Sequence, residues 1–306
     1  MQPSAIDRQF PTLDPLARIL LRPVGLVGRR LCRTRLSLRV LMILVLAIGT
    51  GFGWIVRTAR DQRDAVAAIR SVNGSVIYDI DWRNATSNPY LSSWSPLQLY
   101  DGKIGDHTWL KWVVDRIGID YFGNVVYARL VERRTSDRSK TDDALMAHIG
   151  RLRRLRTLRL DNTQVTEDGL IHLKGLTGLD SLSLAYTRID DRGLVHLKGL
   201  TSLDSLSLAH TRIDDRGLTH LKGLTGLRSL SLDNTRVSDR GLTHLMGLTG
   251  LQTLSLDNTR VSDRGLVHLE ELNWLGSLYI NNTNLTDDGV GELKWALPRV
   301  QIVRNQ

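Results

Sequence analysis

Between residues 152 and 295 the sequence repeats every 24 residues, six times in succession. The second copy reads LTGLDSLSLAYTRIDDRGLVHLKG, and its apolar positions recur in nearly every other copy. A fixed period of this length is typical of stacked supersecondary units, each of which contacts only its neighbours. The period therefore predicts a solenoid of six repeats, which we number coil one to coil six in chain order.

Each copy carries the pattern of one strand followed by one short helix. The segment L-x-x-L-x-L predicts a strand whose alternate leucines face inward. Gly193 begins a helical turn on the opposite side, and Asp190 is placed to cap that turn. Other copies have a capping residue at the same position: Thr166, Asp214, Ser238, Ser262 and Thr286. One inward polar position also recurs, and we expect its hydroxyls to bond to backbone groups and join adjacent coils: Thr163, Thr187, Thr211, Thr235, Thr259 and Thr283.

The repeat motif L-x-x-L-x-x-L-x-L-x-x-T-x-V-[TSD]-D-x-G-L-x-x-L resembles leucine-rich repeats of the ribonuclease-inhibitor and F-box-adaptor type. Together with the segments RDAVAAIR (63–70), DYFGNVV (120–126) and TDDAL (141–145), it resembles leucine-rich-repeat membrane proteins of planctomycete-type bacteria. The resemblance implies an α/β fold, a right-handed leucine-rich-repeat solenoid preceded by one transmembrane helix and a small α+β cap region. It also implies a scaffold or binding role without catalytic residues. No segment looks like an F-box, so an adaptor role similar to F-box leucine-rich-repeat proteins is the weaker alternative.

A transmembrane helix is predicted at residues 40–56, which read VLMILVLAIGTGFGWIV and contain no charge. Seventeen residues are about the shortest apolar run that spans a bilayer. A cleaved signal peptide is the main alternative, but it has a shorter apolar core, and the long basic segment 1–39 precedes this one. That segment holds eight arginines against four in residues 57–70. The excess predicts a cytoplasmic N-terminus and repeats on the non-cytoplasmic side of the membrane.

Residues 57–151 are predicted to connect the anchor to the repeats and to cap the solenoid. Strands are expected at 75–82 and 125–131, a long loop at 83–107 and an amphipathic helix at 109–117. The second strand is placed to cover the open edge of the first coil, which would otherwise leave apolar side chains bare. Residues 296–306 are the corresponding C-terminal cap.

The distribution of charge argues against a nucleic-acid partner. The chain carries a net charge of +9. Residues 1–70 contain twelve arginines and four aspartates, a balance of +8, whereas residues 152–295 contain seventeen basic and eighteen acidic side chains, a balance of −1. A nucleic-acid interface needs a basic face on the domain that binds. With one cysteine and no P-loop or dinucleotide-binding motif, the sequence also gives no reason to expect a metal, a cofactor or catalysis.

Variable positions form columns along a solenoid, and the concave strand face and the strand-exit edge of the C-terminal half together make the predicted partner-binding surface. The outward side chains of the strands are serine and alanine in coils two and three. In coils four to six, aspartate, asparagine, tyrosine and arginine side chains can make directional contacts. The predicted set is Asp233, Asn234, Arg236, Asp257, Asn258, Arg260, Tyr279, Asn281 and Asn282. We expect an unknown protein or peptide partner there, because extended solenoid surfaces commonly bind such ligands. A purely structural role in the cell envelope is the alternative.

Two further columns have simpler interpretations. One column of arginines directly follows a column of aspartates and consists of Arg192, Arg216, Arg240 and Arg264. This arrangement predicts a solvated ladder of ion pairs. The alternative is an anion-binding track, which would also include the arginines at the strand exit: Arg188, Arg212, Arg236 and Arg260. A column of histidines is predicted on the helical side: His172, His196, His220, His244 and His268. Such a row does not converge on one point as zinc ligands do.

Overall fold

The computed structural model describes residues 38–78, 124–130 and 139–304, and it describes side chains at 53–78, 124–130 and 143–304. Within this part of the chain, no helix combines the length and the apolar character needed to cross a membrane. A long helix, α1, runs over Leu38–Ser71. Most side chains of the predicted span 40–56 lie outside the described residues, as do the predicted loop 83–107, the predicted helix 109–117 and residues 1–37.

The remaining described elements alternate between strands and short helices. The strands are β1 Ser75–Tyr78, β2 Val125–Arg129, β3 Thr157–Arg159, β4 Ser181–Ser183, β5 Ser205–Ser207, β6 Ser229–Ser231, β7 Thr253–Ser255, β8 Ser277–Tyr279 and β9 Gln301–Val303. The helices are α2 Ser139–Ile149, α3 Glu167–Leu170, α4 Asp191–Leu194, α5 Asp215–Leu218, α6 Asp239–Leu242, α7 Asp263–Leu266 and α8 Asp287–Ala296. Helices α3, α4 and α7 continue directly into 3-10 turns at Ile171–Gly175, Val195–Leu197 and Val267–Leu269.

The nine described strands form one sheet in sequence order. Strand β1 is antiparallel to β2, and every later neighbour is parallel. From β3 to β8 the register shifts by one repeat at each step, so that Leu206 lies opposite Leu230 and Leu230 opposite Leu254. The 24-residue period therefore stacks equivalent residues directly on one another, as the sequence predicts.

Leucines fill the core between the strands and the helical side. The central leucine of each strand from β3 to β8 is at most 1 % exposed, whereas the residues on either side of it are half-buried. The predicted strand phase is confirmed: Leu206 faces the core, and Ser205 and Ser207 face outward. The prediction that several leucines of each copy pack inward is confirmed along the whole array.

The recurring threonine is buried in coils one to five and half-buried in coil six, and it bonds to the backbone as predicted, but only within its own coil. The Thr187 hydroxyl donates to the carbonyl of Leu184 at 2.7 Å, three residues earlier in the same coil. The other five threonines bond in the same way, so the column closes a turn within each coil and does not join adjacent coils. The residue before each threonine has a positive φ, between 52° and 59°. Asparagine adopts this left-handed conformation more readily than most residues, and it occupies four of the six positions.

Adjacent coils are joined instead by the aspartate that begins the short helix. Asp239 accepts hydrogen bonds from the backbone N–H and the hydroxyl of Ser262 in the next coil, at 2.7 and 2.6 Å. The same two bonds link Asp215 to Ser238 and Asp263 to Thr286. Ser238 and Ser262 stand at the predicted cap positions, but their hydroxyls donate to these aspartates and make no capping bond to their own helices.

Both ends of the stack are covered. Strand β2 pairs with β3 in parallel register and so lies at the N-terminal edge, as expected for segment 125–131, and β1 covers β2. Only residues 75–78 of the predicted strand 75–82 are described. Asp143 of α2 accepts hydrogen bonds from the N–H and the hydroxyl of Thr166, as the later aspartates do from the next coil, so β2 and α2 extend the stack beyond coil one. Strand β9 pairs with β8 at the other end.

Candidate ligand-binding surfaces

The strand face is the outward surface made by the residues on either side of each buried leucine in β3–β8. In β4, β5 and β6 these residues are all serines, and Thr253 and Ser255 continue the pattern in β7. Tyr279 is the one aromatic among them; it is half-buried and lies in register with Ser255 and with Val303 of β9. Part of the predicted partner-binding set lies at the C-terminal end of this face.

The two aspartates of the predicted set hold neighbouring coils together. Asp233 accepts hydrogen bonds from the hydroxyls of Ser231 and Ser255 and, at 3.1 Å, from the N–H of Asp257. Asp257 in turn accepts from the N–H of Asn281 at 2.6 Å and from its side-chain amide at 2.9 Å. These carboxylates already have partners within the protein, and a ligand would have to compete with those bonds.

The three other asparagines of the set occupy the left-handed turn position. Asn234, Asn258 and Asn282 have φ values of 54°, 57° and 52°. The backbone conformation explains why asparagine stands there, and the amide of Asn282 also donates to the side-chain oxygen of Asn258 at 3.0 Å. Coils two and three have Tyr186 and His210 at this position, and their rings stack with centroids 3.9 Å apart.

Arg236 and Arg260 do not lie on the strand face. They lie on the loops between strand and helix and line a cleft of about 750 Å³ that spans coils three to five. Arg216 and Arg240 line the cleft from the short helices α5 and α6. We call this the arginine cleft, after Arg216, Arg236, Arg240 and Arg260. The sequence places Arg236 and Arg260 with Tyr279 in one set, whereas the structure assigns them to a separate surface.

The predicted ion-pair ladder is wrong as a regular feature. Among the described residues it forms in coil two, where Arg192 contacts Asp190 at 2.9 Å and Glu167 at 2.8 Å. Aspartates of the column that follows each capping position bond to the next coil, and neighbouring positions on a helix do not face each other. Within the described part of the chain, none of the four cleft arginines has a carboxylate oxygen within 4.0 Å.

Four members of the histidine column, His196, His220, His244 and His268, are half-buried along the helical side, whereas His172 is exposed. The Nδ1 atoms of His148, His196 and His220 are buried without a hydrogen-bond partner. Burial lowers the pKa of His196, His220 and His244 below 6.5, and a lysine of the preceding coil lowers each further: Lys174, Lys198 and Lys222 respectively. His220 and His244 also line the arginine cleft. Among the described residues, no three histidine, cysteine or acidic side chains are grouped so as to hold a metal ion.

Comparison with known proteins agrees with the architecture. A family model described as leucine rich repeat matches residues 153–213. Internalin C2 from Listeria monocytogenes is similar in structure, with 30 % identity and a TM-score of 0.44, over 52 % of this chain and 67 % of that one. A leucine-rich-repeat protein from Leptospira interrogans has 17 % identity and a TM-score of 0.38, over 51 % of this chain and 50 % of its own. No curated protein matches the chain.

A plant peptide hormone receptor, solved in complex with its peptide, is also similar in structure. It has 18 % identity and a TM-score of 0.38, over 52 % of this chain and 26 % of the receptor. This chain therefore spans about half of the Leptospira protein and about a quarter of the receptor.

Proposed function

We propose that this leucine-rich-repeat protein is an interaction module that is displayed at a membrane and binds a protein or peptide through its strand face. The observation that carries the proposal is the continuous strand face from β3 to β8, whose backbone groups are fixed in parallel register over six coils. A rigid sheet of small outward side chains lets another chain approach its backbone closely. Binding to such a surface loses little conformational entropy on the protein's side.

The C-terminal end of the strand face is the favoured contact region. Tyr279 offers contact area and a hydroxyl while losing little side-chain entropy. It is half-buried beside Ser255 and Val303, so its ring is held in place before a ligand arrives. Of the predicted set, we therefore place Tyr279 and Asn281 in the contact region and propose a structural role for Asp233, Asp257 and the three turn asparagines.

Membrane display is proposed from the sequence of residues 40–56, with the N-terminus in the cytoplasm and the repeats outside it. The absence of charge over seventeen residues and the arginine-rich segment before them support this arrangement. Carbonate washing should leave the full chain in the membrane fraction, and protease added to intact spheroplasts should digest the repeats. Extraction by carbonate would contradict the anchor, and protection from protease would reverse the proposed orientation.

Site-specific photo-cross-linking tests the strand face in the full chain. A photoreactive phenylalanine at Ser229, on the strand face, should capture one defined partner in cells. The same residue at Val195, exposed on the helical side, is the control and should not capture it. Tyr279→Ala should reduce capture from position 229, whereas His196→Ala with His220→Ala should not. Equal capture from both positions, or loss only in the histidine variant, would contradict the proposed surface.

A purely structural envelope protein is the competing function. Such a protein would need no specific contact on the strand face, so position 229 would capture no defined partner, and Tyr279→Ala would change nothing but stability. The cross-linking experiment therefore separates the two functions without knowledge of the ligand.

A further inference from the structure

The arginine cleft combines an open cavity with four guanidinium groups that form no ion pair among the described residues. The hydrogen bond from the N–H of Arg216 is the main cause that lowers the pKa of Asp214, and Arg216 and Arg236 lie near enough to lower it further through their charge. The charged lining of the cleft is Arg216, Arg236, Arg240 and Arg260 against Asp214 and Asp215, which gives 4 − 2 = +2 with both histidines neutral. The repeat array as a whole carries a balance of −1. The cleft is therefore a local positive site on a surface of nearly balanced charge.

The two aspartates of the cleft are already bound to other groups. Both oxygens of Asp215 accept from Ser238, the N–H at 2.7 Å and the hydroxyl at 2.6 Å. Asp214 accepts from the N–H of Arg216 at 2.8 Å, and this bond is the main reason that its pKa is lowered. Neither carboxylate lies within ion-pair distance of a cleft guanidinium, so the arginines remain available to an anion.

The arginine of coil two is held by its capping aspartate, whereas the cleft arginines have no such ion pair in the part of the chain that the structure describes. In coil two the cap is Asp190, and its carboxylate holds the side chain of Arg192 through Nε at 3.2 Å and a terminal nitrogen at 2.9 Å. In coil four the cap is Ser238, which has no carboxylate to offer to Arg240. The Ser238 hydroxyl donates to Asp215 of the preceding coil at 2.6 Å. In coil three the cap is Asp214, and it accepts from the backbone N–H of Arg216 but forms no ion pair with its guanidinium.

The backbone that carries the cleft arginines is held in place. The N–H of Arg236 donates to the carbonyl of Ile213 at 2.9 Å, and the N–H of Arg260 donates to that of Val237 at 2.9 Å. Arg260 is also paired with Ser238 in an isolated parallel bridge. A ligand therefore has to order only the arginine side chains, and preorganisation of this kind favours binding.

We propose that the arginine cleft binds the clustered phosphate or sulfate groups of an anionic ligand other than a nucleic acid. Guanidinium groups bind such oxyanions bidentately through charge-assisted hydrogen bonds. Four arginines are more than a single phosphate or sulfate group can bind bidentately. This favours a ligand that carries two or more such groups. His220 and His244 border the same space, so a bound polyanion raises their pKa. The site is separate from the strand face and does not depend on the function proposed for that face.

Calorimetric titration of the purified full chain in detergent tests the site with two probes. Tripolyphosphate represents a phosphate source and a sulfated disaccharide a sulfate source. At least one should bind saturably, with a Kd below ~1 mM. Arg236→Gln with Arg260→Gln should weaken binding by about tenfold per arginine. The control, Arg192→Gln with Arg228→Gln, removes the same charge from arginines that are already ion-paired and should change the Kd by less than about threefold.

Three results would overturn the proposal. They are binding of neither probe, an equal loss in the test and control pairs, and tighter binding of a single-stranded oligonucleotide than of tripolyphosphate. Should the test pair melt differently from the wild type, Arg216→Gln with Arg240→Gln removes the other two guanidiniums from α5 and α6 and gives the same comparison. NMR titration gives an independent measurement: the pKa of His220 and of His244 should rise when the probe is bound and stay unchanged in the test pair.

Discussion

The carboxylate of Asp239 binds both the backbone N–H and the hydroxyl of Ser262, one coil further along the chain, at 2.7 and 2.6 Å. Ser262 is the N-cap residue immediately before helix α7, so the bond between coils also fixes the start of that helix. The same relationship links Asp143 to Thr166, Asp215 to Ser238 and Asp263 to Thr286. These polar links complement the leucine core, because they define how far one coil is turned relative to the next.

Replacement of Asp239 by alanine should destabilise the array by about 1.5–3 kcal/mol. The change removes two hydrogen bonds to a charged acceptor and leaves the Ser262 N–H without its partner. Asp204→Ala removes the same charge from an exposed pair with Arg228 and should cost under about 1 kcal/mol. Urea unfolding of both variants measures the difference. Equal costs would show that the bond from Asp239 contributes nothing beyond a surface charge.

Gly241→Ala should destabilise the array because the preceding coil occupies the space of a side chain. A Cβ at position 241 would lie 2.6 Å from a carboxylate oxygen of Asp215 and 3.0 Å from Leu218. Forcing these groups apart costs about 1–3 kcal/mol. Gly247 lies later in the same coil with no atom within 4 Å of its Cβ position, so Gly247→Ala should leave the unfolding free energy within about 0.5 kcal/mol or raise it slightly. Thermal melts of the two variants should differ clearly.

Leu206→Ala should cost about 2–5 kcal/mol through the cavity that it leaves. Leu206 is 1 % exposed in the middle of the stack, between the equivalent leucines of β4 and β6. Ser207→Ala, one residue away on the strand face, should cost under about 0.5 kcal/mol. Chemical denaturation measures both variants. Similar costs would contradict the assignment of inward and outward positions.

The leucine core could be predicted from the sequence because it depends on spacing alone. A two-residue alternation within the strand and a 24-residue period between strands leave one consistent assignment for Leu206 and its equivalents. The partners of polar side chains were harder to predict, because in a stack each polar group has candidate partners in its own coil and in both neighbours. Thr187 forms its hydrogen bond within its own coil, whereas Asp239 bonds to the next coil.

The failure of the ion-pair ladder has a physical reason that the sequence already contains, and so does the position of Arg236 at the strand exit. Asp239 and Arg240 are adjacent on a helix, and adjacent helical residues point in different directions, so an ion pair between them is not expected. Arg236 follows Asn234 in the left-handed turn and Thr235, whose hydroxyl bonds back to Leu232, so it has already left the strand face. The separation of Arg236 from Tyr279 could have been predicted if the Asn–Thr pair had been interpreted as a turn.

The array should lose stability as the pH falls below about 6.5. Burial is the main cause that lowers the pKa of His196, His220 and His244. The positive charges of Lys174, Lys198 and Lys222, respectively, lower it further. Asp168 opposes the shift at His196, and Asp215 opposes it at His244. The histidines of the unfolded chain titrate near pH 6.5, and those of the folded state bind protons only at lower pH. The contribution of these neutral histidines to the free energy of unfolding is therefore complete above about pH 6.5. It is lost as the pH falls from there through the folded pKa values.

Thermal unfolding of the full chain between pH 7.5 and 5 measures this loss. A variant with His196→Gln, His220→Gln and His244→Gln removes the three titrating groups while keeping polar side chains of similar length, and its melting temperature should depend less on pH over this range. Lys198→Gln provides the second control, because it should raise the pKa of His220, measured by NMR, and leave that of His244 unchanged. A wild-type melting temperature that stays constant from pH 7.5 to 5, or one that falls equally in the triple variant, would contradict the assignment of the pH dependence to these histidines.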